Sequence, residues 1–205
     1  MPSFTTRNKR GRIDLGIRGE RVHPGAHIAY FWENEQDFRE GLRFLEVGVR
    51  NGDACVVFGH EEANERVLAL LRSTPVDVDF LRSAGRLAVL GGNSTGDAML
   101  GEIGATFQKM MDSGAKLIRL LGNIGWNKQG WPGEDDILAF ESKVTGAARA
   151  FPCVVVCMYD VHSLSGRVMV HGALANHPIT VCGNVMRHNP YFVEHEEFLE
   201  RLKLQ

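Results

Sequence analysis

The chain has 205 residues, of which 44% are hydrophobic and 23% are charged, and its formal net charge at pH 7 is −2. These values are typical of one globular domain, and they exclude a disordered chain, a collagen and a coiled coil. No apolar run approaches the roughly 18 residues of a membrane-spanning helix, so we expect no membrane contact. The nearly neutral charge does not predict direct nucleic-acid binding by the domain.

The first 24 residues differ from the rest of the chain by being basic. Residues 1–22 contain six arginines and lysines against two acidic residues, a net charge of +4. They lack the apolar centre and cleavage site of a signal peptide, so a cytoplasmic location is expected. We interpret residues 1–24 as a flexible tail, and the alternative is an arm that contacts an acidic partner or nucleic acid. One domain is expected over residues 25–205.

From residue 27 onward, short apolar runs alternate with amphipathic segments. The apolar runs predict strands at 27–32, 54–58, 87–90, 117–121, 154–158, 179–182 and 185–187. Helices are predicted between Asn34 and Gly52 and over 61–71, 99–110, 132–148, 165–176 and 194–202. This alternation favours a three-layer α/β fold, with a mostly parallel central sheet and helices on both faces. Binding sites on such sheets lie at the carboxyl ends of the strands.

The cysteines do not form a recognisable metal motif. Cys55, Cys153, Cys157 and Cys182 lie among apolar neighbours, and we interpret them as core residues in a reducing compartment. On one strand, Cys153 and Cys157 would lie about 13 Å apart, at ~3.3 Å per residue, which is too far for one ion. The eight histidines lack the H-x-x-H and H-E-x-x-H spacings. No metal site is therefore predicted, since one would need ligands from distant loops.

The phosphate-binding loop of ATPases is missing from the sequence. A Walker A motif requires a Gly-Lys pair, which the chain lacks, and the acidic Glu33-Asn34-Glu35 after the first strand would repel phosphate. We therefore expect neither conventional ATPase activity nor a cofactor. The loop Gly91–Gly96 could bind an anion through its backbone amides, or it could be a tight turn with a Ser or Thr helix cap.

The same loop contains a possible nucleophile. Gly92–Gly96 matches G-x-S-x-G, in which the serine of α/β-hydrolases lies on a strand-to-helix turn. Asp160 and His177 follow Ser94 in the order of that catalytic triad. However, the chain is short for that fold and has no HGGG-type oxyanion segment. We expect no enzyme activity and assign no catalytic residue, and a small serine hydrolase using Ser94 is kept as an alternative.

Polar and aromatic side chains occur near the ends of several predicted strands. They are His27, Trp126, Tyr159, Asp160, His177 and Asn189. A few polar groups beside aromatic rings are typical of a small-molecule pocket. Each polar group could instead cap backbone or close a turn.

Five segments resemble, in order, the motifs of the MEDS domain (methanogen/methylotroph, DcmR sensory domain). They are HIAYFWENEQDF (27–38), GVRNGDACVVF (48–58), LAFESKV (138–144), CMYD (157–160) and HPITVCGNVMRHNPYF (177–192). The resemblance covers roughly residues 25–200 and implies a RecA/KaiC-like fold without a working ATPase site. The ligand-binding residues expected from it, together with Trp126, are His27, Tyr30, Glu141, Tyr159, Asp160, His177, Asn189 and Tyr191.

The resemblance also implies a function. It predicts a stand-alone sensory module that binds a small molecule, such as a hydrocarbon derivative, and reports to a regulatory protein. Many relatives carry a DNA-binding or kinase segment in the same chain, so here a histidine kinase, an anti-sigma factor or a transcription factor is expected to act in trans. RecA-like domains often assemble edge to edge, which points to a homo-oligomer. The alternative outside enzymes is an interaction module that binds no ligand.

Overall fold

The computed structural model describes residues 11–204. The strands are β1 (Ile13–Asp14), β2 (Arg21–Val22), β3 (Ala26–Trp32), β4 (Ala54–Gly59), β5 (Leu87–Leu90), β6 (Ile118–Asn123), β7 (Cys153–Asp160), β8 (Ile179–Cys182) and β9 (Val185–His188). The helices are α1 (Glu35–Asn51), α2 (Glu61–Arg72), α3 (Val78–Ser83), α4 (Gly96–Asp112), α5 (Glu134–Ala150) and α6 (His195–Leu202), and a π-helical segment spans Val168–Leu174.

Seven of these strands form one sheet in the order β5-β4-β6-β7-β3-β8-β9. The pairs from β5 through to β8 are parallel, and β9 pairs antiparallel to β8 at one edge. Helices connect the consecutive parallel strands: β4 and β5 are neighbours in the sheet, as are β6 and β7, whereas β6 and β7 lie between β3 and β4. The predicted mostly parallel α/β architecture is confirmed.

Two apolar layers cover the sheet. The first packs α4, α5, the π-helical segment and α6 against one face, and the second packs α1, α2 and α3 against the other. Alternation along β7 divides its residues between them: Val155 and Cys157 face the first layer, whereas Val156 and Met158 face the second. Residues two apart on a strand therefore share a face, which decides the composition of the site described below.

Residues 13–22 do not form the flexible tail that was expected from the charge of residues 1–22. They form the antiparallel hairpin β1–β2, in which Leu15 and Ile17 are fully buried against the second layer. A Cβ on Gly16 would lie 2.6 Å from the carbonyl oxygen of Arg43, so the hairpin turn touches α1 directly. The apolar side chains between the arginines determine this packing, so the folded unit begins before residue 25. Residues 1–10 of the predicted tail lie outside the described residues.

Local sequence signals located several helix ends correctly. The side chain of Asn34 accepts a hydrogen bond from the Asp37 amide at the start of α1, and Gly52 ends that helix with φ of 83°. Thr95 caps α4 by accepting from the Ala98 amide, as expected for a turn with a helix cap. The short helix α3 was not predicted.

None of the helices within residues 11–204 has both the length and the apolar character that a membrane crossing requires.

Candidate functional site

A group of buried polar side chains lies between the sheet and α5. Neighbouring strands β7 and β3 contribute Cys157 and His27, which point to the same face. His177 lies two residues before the start of β8, the other neighbour of β3, and α5 covers the group with Glu141 and Thr145. All five residues are at most 4% exposed. The sheet order therefore brings together side chains that are more than a hundred residues apart in sequence.

Four of these side chains face one another closely. Nε2 of His27 lies 3.4 Å from Sγ of Cys157 and 3.6 Å from Oε2 of Glu141. Nε2 of His177 lies 3.7 Å from the same carboxyl oxygen, and Sγ of Cys157 lies 4.0 Å from it. One nitrogen, oxygen or sulfur atom from each side chain lies within 4.8 Å of those from the other three. We call His27, Glu141, Cys157 and His177 the quartet.

Hydrogen bonds from surrounding groups hold the quartet in place. The Thr145 hydroxyl donates to the carbonyl of Asn176 at 2.9 Å, and Nδ1 of His27 lies 2.8 Å from the same hydroxyl. Nδ1 of His177 lies 2.9 Å from the carbonyl of Ala173. These contacts are on the sides of the two imidazoles that face away from the quartet, so they orient both Nε2 atoms towards it.

A hydrogen bond from Tyr159 holds the carboxyl group of Glu141 in place. The Tyr159 hydroxyl donates to its Oε1 at 2.8 Å, which leaves Oε2 facing the two imidazoles. Burial raises the pKa of Glu141 to about 8, and the Tyr159 hydrogen bond opposes that shift. Burial lowers the pKa of His177 to about 4 and holds the pKa of His27 well below its usual range. Near neutral pH, these three groups are therefore mostly uncharged.

An apolar cavity of about 210 Å³ adjoins the quartet. Its walls come from α4, α5 and the sheet, and they include Phe58, Leu100, Ile103, Phe107, Phe140 and Val155. Glu141 and Cys157 also line it, so the quartet forms its polar end. A cavity of this size with an apolar wall and one polar end suits a small organic molecule with few polar atoms.

Other predicted site residues lie elsewhere. Tyr30 is on the opposite face of β3, where its hydroxyl donates to the carbonyl of Asp37 at 2.7 Å. Asn189 donates to the carbonyl of His177 at 2.7 Å, so it positions the segment that carries His177. The side chain of Tyr191 is 68% exposed, and its amide donates to Oδ1 of Asn189. The structure does not bring these three side chains together with that of His27: Tyr30 faces the opposite layer because strand residues alternate between faces, and Asn189 and Tyr191 lie after β9.

Trp126 and Asp160 lie at the carboxyl edge of the sheet. They line a separate, more polar cleft together with Trp32, Arg66 and Lys128. His27 is the second residue of β3, so the quartet lies inside the fold rather than at the carboxyl edge where the site was expected. Helix α5 covers the face of the sheet to which His27 and Cys157 point, so these polar side chains are buried away from the carboxyl edge. The predicted residues are thus divided between the quartet with its neighbour Tyr159, the edge cleft, the opposite face and the segment after β9.

The residues of the alternative hydrolase triad make separate contacts. The backbone amide of Ser94 donates to its neighbour Asn93, and the side chain of Ser94 is exposed. Asp160 accepts from the amide of His162, while His177 is fully buried beside Glu141. Nucleophilic catalysis of this type needs the three groups within hydrogen-bond reach of one another.

Two residues of the site were not predicted. Cys157 was interpreted as an ordinary core residue, and Thr145 was not singled out. The sequence signal on α5 concerns Glu141, which was predicted: it lies on the same helical face as Leu138, Val144 and Ala148. A carboxyl group on the apolar face of a helix indicates a buried acid that needs a partner.

The other cysteine of β7, Cys153, lies away from the quartet and donates to the carbonyl of Ala148. Cys182, predicted to be in the core, is exposed on β8 beside the edge strand β9.

Comparison with known proteins gives two matches in sequence. Residues 26–178 match the sequence model of a family described as MEDS, the MEthanogen/methylotroph, DcmR Sensory domain. The chain is also 26% identical over 137 residues to the transcriptional repressor DcmR of Methylorubrum extorquens. That match covers 66% of this chain and 51% of the repressor, so the chain spans about half the length of this relative.

A solved structure supports the fold independently. A KaiC-like protein from the archaeon Pyrococcus horikoshii superposes with a TM-score of 0.59 at 14% identity. The match covers 83% of this chain and 79% of that chain. The expected RecA/KaiC-like fold is therefore confirmed, and at this identity the likeness shows the fold alone.

Proposed function

The chain belongs to the MEDS family of sensory domains, and from that membership we propose that it binds a small, largely apolar organic molecule and regulates a protein partner in response. The observation that carries the proposal is the cavity of about 210 Å³ between α4, α5 and the sheet. A hydrocarbon derivative with a single polar group fits it, since the walls are apolar and only the Glu141–Cys157 end is polar. This cavity favours a ligand sensor over an interaction module that binds no ligand.

The size of the cavity limits the ligand. An engineered apolar cavity of about 150 Å³ accepts benzene, so this cavity has room for a molecule of that size or slightly larger. Its affinity would come mainly from the apolar surface that the walls remove from water. A sugar, a nucleotide or a charged metabolite would lose its hydration without gaining hydrogen bonds from the walls.

Signalling follows from the position of the cavity beneath α4 and α5. A ligand shifts a conformational equilibrium only when it binds one arrangement more tightly than the other. Filling the cavity would favour the arrangement in which α4 and α5 close upon it, and a partner that contacts these helices would detect the change. The similarity to a transcriptional repressor supports a transcription factor as that partner, with a histidine kinase or an anti-sigma factor as other candidates, all acting in the cytoplasm.

Calorimetric titration of the full chain tests the ligand class. Benzene and phenol serve as probes that match the cavity in size, and glycerol serves as a small polyol of strongly polar character. We expect saturable heat from benzene and phenol and none from glycerol. Equal responses to all three, or no saturable heat from either aromatic probe, would contradict the proposal.

A further inference from the structure

We propose that His27, Glu141, Cys157 and His177 bind one Zn²⁺ ion with tetrahedral geometry. The quartet offers two imidazole nitrogens, one carboxyl oxygen and one sulfur, and these are the three ligand types that zinc takes in proteins. Such a site goes beyond the proposed function and does not depend on it, because the ion would be held by the protein alone.

The distances within the quartet agree with a tetrahedral ion. Zinc bonds of about 2.0–2.3 Å place neighbouring ligand atoms roughly 3.3–3.8 Å apart. The four separations given above run from 3.4 to 4.0 Å and the other two are within 4.8 Å, so shifts of up to about 1 Å would complete the coordination. The side chains come from two strands, a helix and the segment before β8, so packed elements hold the ligands in place.

The surrounding hydrogen bonds select the required tautomers. The single Thr145 hydroxyl proton is donated to Asn176, so this hydroxyl accepts the Nδ1 proton of His27. The carbonyl of Ala173 can only accept, so Nδ1 of His177 carries its proton too. Both Nε2 atoms then present lone pairs to the centre of the quartet. Metal-binding histidines almost always donate the opposite ring proton to such a partner.

An unpartnered polar atom points to the same conclusion. Within residues 11–204, Nε2 of His177 is buried and has no hydrogen-bond partner, although buried polar atoms in proteins are normally paired. An ion at the centre of the quartet would accept its lone pair.

Charge favours a divalent ion. The carboxylate of Glu141 and the thiolate of Cys157 supply two negative charges, which balance Zn²⁺ in this buried environment. Binding would release the carboxyl and thiol protons to solvent. One sulfur and two nitrogen ligands select zinc over Mg²⁺ or Ca²⁺, which prefer oxygen.

Cobalt titration of the tag-free full chain tests the site. The protein is stripped with a chelator and titrated with Co²⁺, which reports a thiolate ligand through sulfur-to-cobalt charge-transfer absorption. We expect one Co²⁺ per chain with this absorption, and displacement of Co²⁺ by Zn²⁺. In Cys157→Ala the absorption should disappear, whereas the matched control Cys153→Ala changes another buried cysteine on the same face of β7 and should keep it.

A second variant covers the case in which Cys157→Ala does not fold. His177→Gln keeps the thiolate, and we expect it to weaken Co²⁺ binding by about 100-fold or more, since loss of an outer hydrogen-bond partner alone costs 10–100-fold. Failure of the wild-type chain to bind Co²⁺ stoichiometrically, or charge-transfer absorption that survives in Cys157→Ala, would overturn the proposal. Benzene titration of the stripped protein separates the two proposals, because the cavity walls bind the probe without the ion.

Discussion

Replacing Gly104 by leucine should close the cavity without disturbing the fold. Gly104 lies on α4 and lines the cavity, and a Cβ built there meets no heavy atom within 4 Å. The matched control is Gly101→Leu in the same helix, where the position is exposed and a Cβ likewise meets nothing within 4 Å. Both variants remove a helix-interior glycine, and only Gly104→Leu adds carbon atoms to the space that a ligand would occupy.

The magnitudes follow from the apolar character of the cavity. Benzene that buries about 150 Å² gains about 4 kcal/mol at 25 cal/mol per Å², which corresponds to a Kd near 1 mM. At about 10 mM benzene the protein should be stabilised by about 1.4 kcal/mol, a rise in Tm of about 3–6 °C for a chain of this length. Independently of benzene, each leucine should stabilise the helix by about 0.7 kcal/mol relative to glycine.

Thermal unfolding followed by circular dichroism measures both effects in the wild-type chain and the two variants. We expect benzene to raise Tm in the wild-type chain and in Gly101→Leu but not in Gly104→Leu. A full benzene shift in Gly104→Leu would refute the assignment of the cavity as the binding site. If both variants lost the benzene-induced rise in Tm, the stabilisation would depend on α4 as a whole rather than on the cavity.

Three further variants test separate parts of the structure. Ile17→Ala should lower the free energy of unfolding by about 2–5 kcal/mol in urea denaturation, because its side chain is fully buried; a change near zero would mean that the hairpin is a free tail. Thr145→Val should cost about 1–3 kcal/mol by leaving polar groups of His27 and Asn176 unpaired. It should also weaken Co²⁺ binding by about 10–100-fold, and unchanged cobalt affinity would contradict the role given to its hydroxyl. Ser94→Ala should change stability by less than about 0.5 kcal/mol and leave the benzene shift intact, since Ser94 is exposed; an ester hydrolysis activity that this change abolished would support the hydrolase alternative.

The layers of the fold were predictable because they depend on local patterns. Fully apolar runs such as 54–58 indicate strands buried on both faces, and Asn34 and Gly52 mark the two ends of α1 through their own backbone preferences. The hairpin β1–β2 was missed because the net charge of +4 was averaged over residues 1–22, although all of it comes from Arg7, Lys9, Arg10 and Arg12, which precede the hairpin. Charge averaged over a segment does not report which side chains point inward.

The candidate site was predictable only in part. The resemblance to MEDS motifs selected His27, Glu141, Tyr159 and His177, which the structure brings together, and it also selected residues such as Tyr30 that lie on another face. Strand alternation would have separated Tyr30 from His27, since the two are three positions apart on β3.

The sequence by itself determined that the chain forms a parallel α/β sheet covered by helices, that it lacks a phosphate loop, and that one acidic residue lies on an apolar helix face. Only the tertiary structure decided that Glu141 meets His27, Cys157 and His177 beside a cavity. The reason is physical: helix and strand patterns report the surroundings of each residue along the chain. The order β7-β3-β8 instead depends on crossovers through helices, and the packing of the whole molecule selects it.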